Sequence, residues 1–304
     1  MPYTGELIAI TTVLCWTISV QFFESASKKV GSTPVNIIRI SAALLLFGAL
    51  IYYKYGSFMP FHFPARAWFF LSLSGVIGFF IGDIFLFKAL VELGPRLATL
   101  IFSVSAPTAA LIEWLILDQS YTLMQWTGIC VTISGVCWVI LERNPSPASK
   151  KDLSIRHISV KGILFGIGSM TGQAVGYILS KIGMQSDAGY LDAFAATQIR
   201  AFSAFICFVI FFSLTRKWGR VGLAFKNKKA LGFTLIGAFI GPFLGVSLSL
   251  QVLHYLSAGV ASTFLSLVPV FIIPFTIFIH KEYVSFRAMA GAVLAVCGIN
   301  LLSV

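Results

Sequence analysis

Residues 82–136 read GDIFLFKALVELGPRLATLIFSVSAPTAALIEWLILDQSYTLMQWTGICVTISGV, and residues 250–299 read LQVLHYLSAGVASTFLSLVPVFIIPFTIFIHKEYVSFRAMAGAVLAVCGI. The first stretch holds apolar runs separated by Gly94-Pro95 and by the polar segment from Asp118 to Thr122. Each run approaches the ~20 helical residues needed to cross a hydrocarbon layer of about 30 Å. The second stretch repeats the pattern more weakly. Outward from these blocks the rest of the chain follows suit: 58% of the 304 residues are hydrophobic and 11% charged, with a mean hydropathy of +0.90. A soluble core cannot hide that much apolar surface. The fold class expected is an all-α integral membrane protein.

Apolar runs and their breaks predict ten transmembrane helices at 5–27, 33–53, 67–91, 96–117, 123–141, 160–182, 190–214, 230–253, 257–279 and 285–303. Turn formers and polar groups mark the breaks, as at Gly31 to Pro34, Pro60 to Pro64, Asp187 to Gly189 and Ser257 to Gly259. Residues 143–159 are the one long polar stretch and divide a first half, 1–142, from a second, 160–304. The first apolar run does not read as a cleaved signal, because Glu6 and no basic residue precedes it.

The halves correspond. Arg39 and Arg200 match at an offset of 161, Pro107 and Pro269 at 162, and Gly78, Gly82, Gly128 and Gly135 match Gly241, Gly245, Gly291 and Gly298 at 163. Five helices per half is an odd number, so the second copy enters the membrane from the opposite side. Two inverted five-helix repeats are expected. Of the basic residues, 17 fall on the side of connections 1–2, 3–4, 5–6, 7–8 and 9–10, and three, Lys54, Arg66 and Lys181, on the other; Arg39 and Arg200 lie within helices. The positive-inside rule then places both termini outside the cytoplasm. This distribution also accounts for the net charge of +11 without a nucleic-acid partner.

With these blocks and their duplication in view, the chain resembles the EamA-domain proteins of the drug/metabolite transporter superfamily over both halves. The resemblance implies a transporter of amino acids, drugs, sugars or other metabolites, mostly outward. It also implies a Glu after the fourth helix of each repeat: Glu282 fits, and Gln119 stands at the first-half position. Many members of that family hold their termini in the cytoplasm, against the charge count.

Ionisable residues within apolar spans are costly and face a bundle interior or wet cavity, with a partner. Arg39, Asp83, Glu113 and Arg200 qualify. Arg39 and Arg200 read either as a symmetry-related pair offering guanidiniums to a substrate carboxylate or phosphate, or as residues near helix ends that snorkel. Asp83 has an apolar counterpart near Val246. It reads as a proton-coupling or amine-binding group, or as the ion-pair partner of Lys88 or Arg39. Glu113 reads as interfacial or pathway-lining; Glu24 and Lys181 fall at matching positions near the ends of helices 1 and 6, as gate or interface residues. Trp16, Gln21, Asn36, Gln173, Tyr177 and Gln198 complete a polar cavity wall, each with an everyday role in helix packing or at the interface. The Gly stripes Gly78xxxGly82 and Gly237xxxGly241xxxGly245 read as close helix contacts, and Pro107, Pro242, Pro269 and Pro274 as kinks or hinges.

Neither a phosphate-binding GxxxxGK[ST] loop nor a GxSxG or HExxH motif occurs. His62, His157, His254 and His280 have no metal-ligand spacing, and the five cysteines lie inside apolar runs without CxxC pairing. The expectation is therefore a secondary transporter of a small polar metabolite, working by alternating access around a cavity between the repeats, with no cofactor, no metal and the lipid bilayer and possible coupling protons as its partners. A passive uniporter or channel and a membrane receptor are the alternatives; an intramembrane enzyme is disfavoured. Short loops and no targeting extension point to a prokaryotic cytoplasmic membrane.

Overall fold

The computed structural model describes residues 3–141, 159–187, 189–268, 270–271 and 286–302. The chain is helical almost throughout, as it must be where no water can satisfy the backbone. Among the described residues six helices are long and apolar enough to cross a membrane: Thr4–Val30, Ser32–Tyr55, Ala65–Leu86, Val160–Met184, Ala193–Leu214 and Lys228–His254. Shorter apolar helices lie at Ile101–Ile116, Leu123–Trp138 and Met289–Gly298. These nine stand where the first eight and the tenth crossings were expected. Of the ninth, expected at 257–279, the described part is Ala258–Leu265 and the turn that follows; Pro269, Pro274, His280 and Glu282 fall outside the described residues, as does most of the 143–159 linker.

In chain order the elements are α1 (Thr4–Val30), α2 (Ser32–Tyr55), α3 (Ala65–Ser74), α4 (Asp83–Ser103), α5 (Ser105–Ile116), α6 (Leu123–Leu141), α7 (Val160–Met184), α8 (Ala193–Leu214), α9 (Trp218–Lys226), α10 (Lys228–Ala238), α11 (Ser247–Gln251), α12 (Ala258–Leu265) and α13 (Phe286–Leu302). Gly31, at φ 86°, lets α1 turn into α2 with one intervening residue. Side-chain caps start several helices: Ser159 for α7, Asp192 for α8, Asn227 for α10 and Ser257 for α12.

Three features depart from the expected helix list. A two-residue hairpin, β1 (Gln185–Ser186) with β2 (Gly189–Tyr190), joins α7 to α8. The basic connection after α8 carries α9, a nine-residue amphipathic helix. The third and eighth crossings are not uniform α-helices: both contain π-helical segments, Gly75–Gly82 (GVIGFFIG) and Phe239–Val246 (FIGPFLGV). Apolar periodicity cannot reveal such wide turns, but their Gly and Pro content tolerates them.

Helical hydrogen bonding runs through Gly94-Pro95, yet the chain reverses there. Positions Gly183, Gly176, Gly172, Gly168 and Gly162 along α7 face residues 70–71, 78, 82, 85 and 92–93 in turn, so this crossing runs antiparallel to α7. Ile101 then lies back beside Gly166 and Glu113 beside Lys181, running parallel to it. The expected break is thus present as a change of direction.

The halves are interleaved. α1 packs on the crossing that holds α10, and α7 packs on the crossing that holds α3; α2 pairs with α8, α5 with α12 and α6 with α13. Glycines make the close approaches. A Cβ on Gly176 would stand 3.1 Å from the Gly78 Cα, and one on Gly135 would stand 2.4 Å from the Ala295 nitrogen. The second-half stripe meets α1 in the same way, Gly237, Gly241 and Gly245 lying under Phe23, Ser19 and Trp16.

Candidate functional site

Gly172 is the midpoint of the 25-residue α7, and its backbone touches Gly82. Asp83, the first residue after the π-helical turns, therefore lies near mid-membrane. Arg39 enters from α2, about two turns in from the charge-rich face, and Arg200 from α8, about two turns in from the opposite face. Arg39 is ion-paired to Asp83 and stands 5.3 Å over the Phe23 ring. Arg200, 2% exposed, lies 4.3 Å over the Phe79 ring, with one guanidinium nitrogen 3.5 Å from where a Gly78 Cβ would be. Gly78 thus leaves the space that Arg200 uses to reach toward mid-depth. Both arginines act electrostatically on Asp83 or its neighbourhood.

This cluster holds two guanidiniums and one carboxylate. The Nε atoms of Arg39 and Arg200 are buried without hydrogen-bond partners, and among the described residues no ion pair reaches Arg200. A buried cation without a counter-charge is expensive. The ring of Phe79, 4.3 Å below the guanidinium, offsets part of that cost. The snorkelling alternative does not describe Arg200, whose side chain is buried toward the bundle centre. Of the two ion-pair partners expected for Asp83, the structure selects Arg39; Lys88 instead lies 5.0 Å over Phe165.

The remaining expected cavity residues distribute unevenly. Asn36, 4% exposed, sits one helical turn before Arg39 with its Oδ1 unpartnered. Gln198 is fully buried; its Nε2 donates to the Phe58 carbonyl at 2.6 Å and its Oε1 has no partner. Tyr177 donates to the Ser249 carbonyl at 2.5 Å, tying α7 to α11. Trp16 packs against Gly245. Gln21 and Gln173 are half-buried, Gln173 with its backbone beside Gly82.

Glu113 is not with them. It is fully buried at the charge-poor end of the bundle. Lys181 donates to its Oε1, Tyr121 donates to its Oε2, and the Gly259 N–H, at the start of α12, donates to Oε2 at 2.9 Å. Tyr121 from the connection after α5 and the start of α12 cover it. Tyr121 escaped the sequence reading because it stands in a turn, with only its neighbours Asp118 and Thr122 to mark the place. Burial first, then the hydrogen bond to Glu113, raises its phenol pKa. The same face carries a Lys54–Asp192 ion pair at 2.8 Å and a stack of Tyr190 on His254. Connections 2–3, 4–5, 6–7 and 8–9 are thereby laced together, and the bundle is closed at that end. Two clefts lie at the other end, around α9. Among the described residues no group of three or more His, Cys, Asp or Glu is placed to hold a metal.

The sequence model of the EamA-like transporter family matches residues 3–141 and again residues 160–304. The chain belongs to the EamA-like transporter family. Its doubled match falls on the two halves that interleave in the fold, and members of this family are membrane transporters. Among 28 solved chains that match, one described as "Crystal structure of protein" superposes with a TM-score of 0.69 at 13% identity, covering 99% of this EamA-like chain and 98% of that one; the likeness is one of fold. No curated protein matches.

Proposed function

We propose that this EamA-like protein is a secondary transporter of small zwitterionic or anionic metabolites, amino acids or related compounds, moved outward by alternating access across a prokaryotic cytoplasmic membrane. The observation that carries the reading is Arg200, buried over the Phe79 ring and beside Gly78, one turn before Asp83, without an ion-pair partner among the described residues. A substrate carboxylate complements Arg200, and a substrate amine competes with Arg39 for Asp83. Proton uptake by Asp83 would release Arg39 by the same competition, which gives a route for coupling.

Ten crossings in two inverted halves provide the two-state frame. Supporting it are the π-helical turns at corresponding places in each half, the antiparallel and parallel runs of the third and fourth crossings along α7, and the crosswise pairing of helices. The Glu113–Lys181–Tyr121 network closes one face in the state described, and alternating access requires it to open.

The test is uptake into proteoliposomes preloaded with competing amino acids, nucleobases or sugars, with and without a pH gradient, for wild type and Asp83→Asn. Saturable uptake that the substitution abolishes or uncouples from the gradient supports the reading. Equal uptake by both returns Asp83 to a structural role, and a conducting current would assign the protein to the channels.

A further inference from the structure

Helix α9 stands apart from the transport site. Its sequence, WGRVGLAFK, tucks Val221 and Ala224 against the bundle and leaves Trp218, Leu223 and Phe225 exposed at 42%, 66% and 54%. Exposed apolar side chains interleaved with Arg220 and Lys226 are the signature of a helix lying in a membrane interface. From Arg216 to Lys229 the chain carries six basic residues and no acid.

A cleft opens on each side of this helix. One, of about 300 Å³, lies between the end of α1 and α9, lined by Lys29, Val30, Arg220, Leu223, Ala224 and Asn227. It offers two cations and an amide beside an apolar wall. The other, of about 170 Å³, is largely apolar, lined by Ile37, Ile38, Phe205, Trp218, Val221 and Phe225, with Ser41 its one hydroxyl-bearing residue. Polar cleft and apolar cleft are separated by a single interfacial helix, which matches a molecule with an anionic head and hydrocarbon tails.

We infer that α9 and the end of α1 form a binding site for an anionic phospholipid of the adjoining leaflet, its phosphate held by Lys29 and Arg220 with Asn227 alongside, and an acyl chain lying over the apolar side of α9. Charge complementarity selects this occupant: a zwitterionic lipid brings its own cation beside the phosphate and leaves the cleft net positive, while anionic headgroups neutralise it and draw basic interfacial segments. Ile37 and Ile38 stand two and one residues before Arg39, so the site abuts the helix that carries Arg39.

The test uses the full chain in nanodiscs of phosphatidylcholine with and without phosphatidylglycerol, reading lipid retention by native mass spectrometry and the thermal midpoint. Two variants carry the same charge change: Lys29→Gln with Arg220→Gln inside the cleft, and Lys228→Gln with Lys229→Gln outside it. Loss of the two side chains that hold the phosphate by charge-assisted hydrogen bonds predicts at least tenfold weaker retention of phosphatidylglycerol for the cleft variant, with a clearly smaller change for the other, which loses only general surface attraction. Equal losses in both variants would overturn the site in favour of general surface attraction. No preference for phosphatidylglycerol in wild type would overturn it outright. Inorganic phosphate reproducing the midpoint shift in phosphatidylcholine alone would overturn the lipid assignment and make the cleft a free-anion site.

Discussion

Replacing Lys181 by Met removes the one cation that faces a fully buried Glu113. Removing one partner of a buried ion pair costs about 3–5 kcal/mol, because the remaining charge is left uncompensated. Two donors stay with Glu113, the Tyr121 hydroxyl and the Gly259 N–H, and hydrogen bonds to a charged group are worth about 1.5–3 kcal/mol each. They limit the loss, so the expected cost is about 2–4 kcal/mol. For a chain of this size that is a fall in thermal midpoint of roughly 4–10 °C, measurable by intrinsic fluorescence of the detergent-solubilised protein. The companion Glu113→Gln with Lys181→Met removes both charges and should recover at least half of the loss. A single Lys181→Met variant as stable as wild type, or a double variant no better than the single, would refute the reasoning that this ion pair closes the charge-poor face.

Tyr121→Phe tests the same network by pH. Because burial and Glu113 raise the Tyr121 pKa above its ordinary value of 10, the phenol contributes stability that is fully present below about pH 10 and declines as pH rises beyond it. The difference in stability between wild type and Tyr121→Phe should therefore shrink above pH 10, and a difference that grows there would contradict the sign. Gly176→Leu places a branched side chain where even a Cβ stands 3.1 Å from the Gly78 Cα; expression of folded protein should fall sharply, read by monodisperse elution in detergent. Asp83→Asn removes the counter-charge of Arg39 and should slow uptake at least tenfold with a smaller effect on the thermal midpoint, checked by running both assays on one preparation.

The architecture was legible because a bilayer reads a sequence simply: long apolar runs cross, and Gly, Pro and polar clusters mark where they stop. The matching offsets of Arg39 with Arg200 and of Gly78 with Gly241 carried the duplication, which a family match to both halves supports. Hydropathy was blind to three things. The π-helical turns before Asp83 leave apolar composition unchanged, the reversal at Gly94-Pro95 keeps helical hydrogen bonds, and α9 is too short and too basic to register as an apolar run. Charge in a span singled out Arg39, Asp83, Glu113 and Arg200, all at least partly buried in the bundle, but one-dimensional position could not sort them. Glu113 belongs with Lys181 and Tyr121 because α5 runs parallel to α7, a relation that appears only when the helices pack.

The most direct test of the transport account is counterflow in proteoliposomes with a carboxylate substrate, its amide analogue as competitor, and wild type set against Arg200→Gln. If the buried guanidinium binds the substrate's anionic group, wild type takes up the carboxylate and ignores the amide, and Arg200→Gln loses at least tenfold in uptake while eluting as a folded protein. Unchanged uptake by folded Arg200→Gln, or equal competition by the amide in wild type, would contradict it.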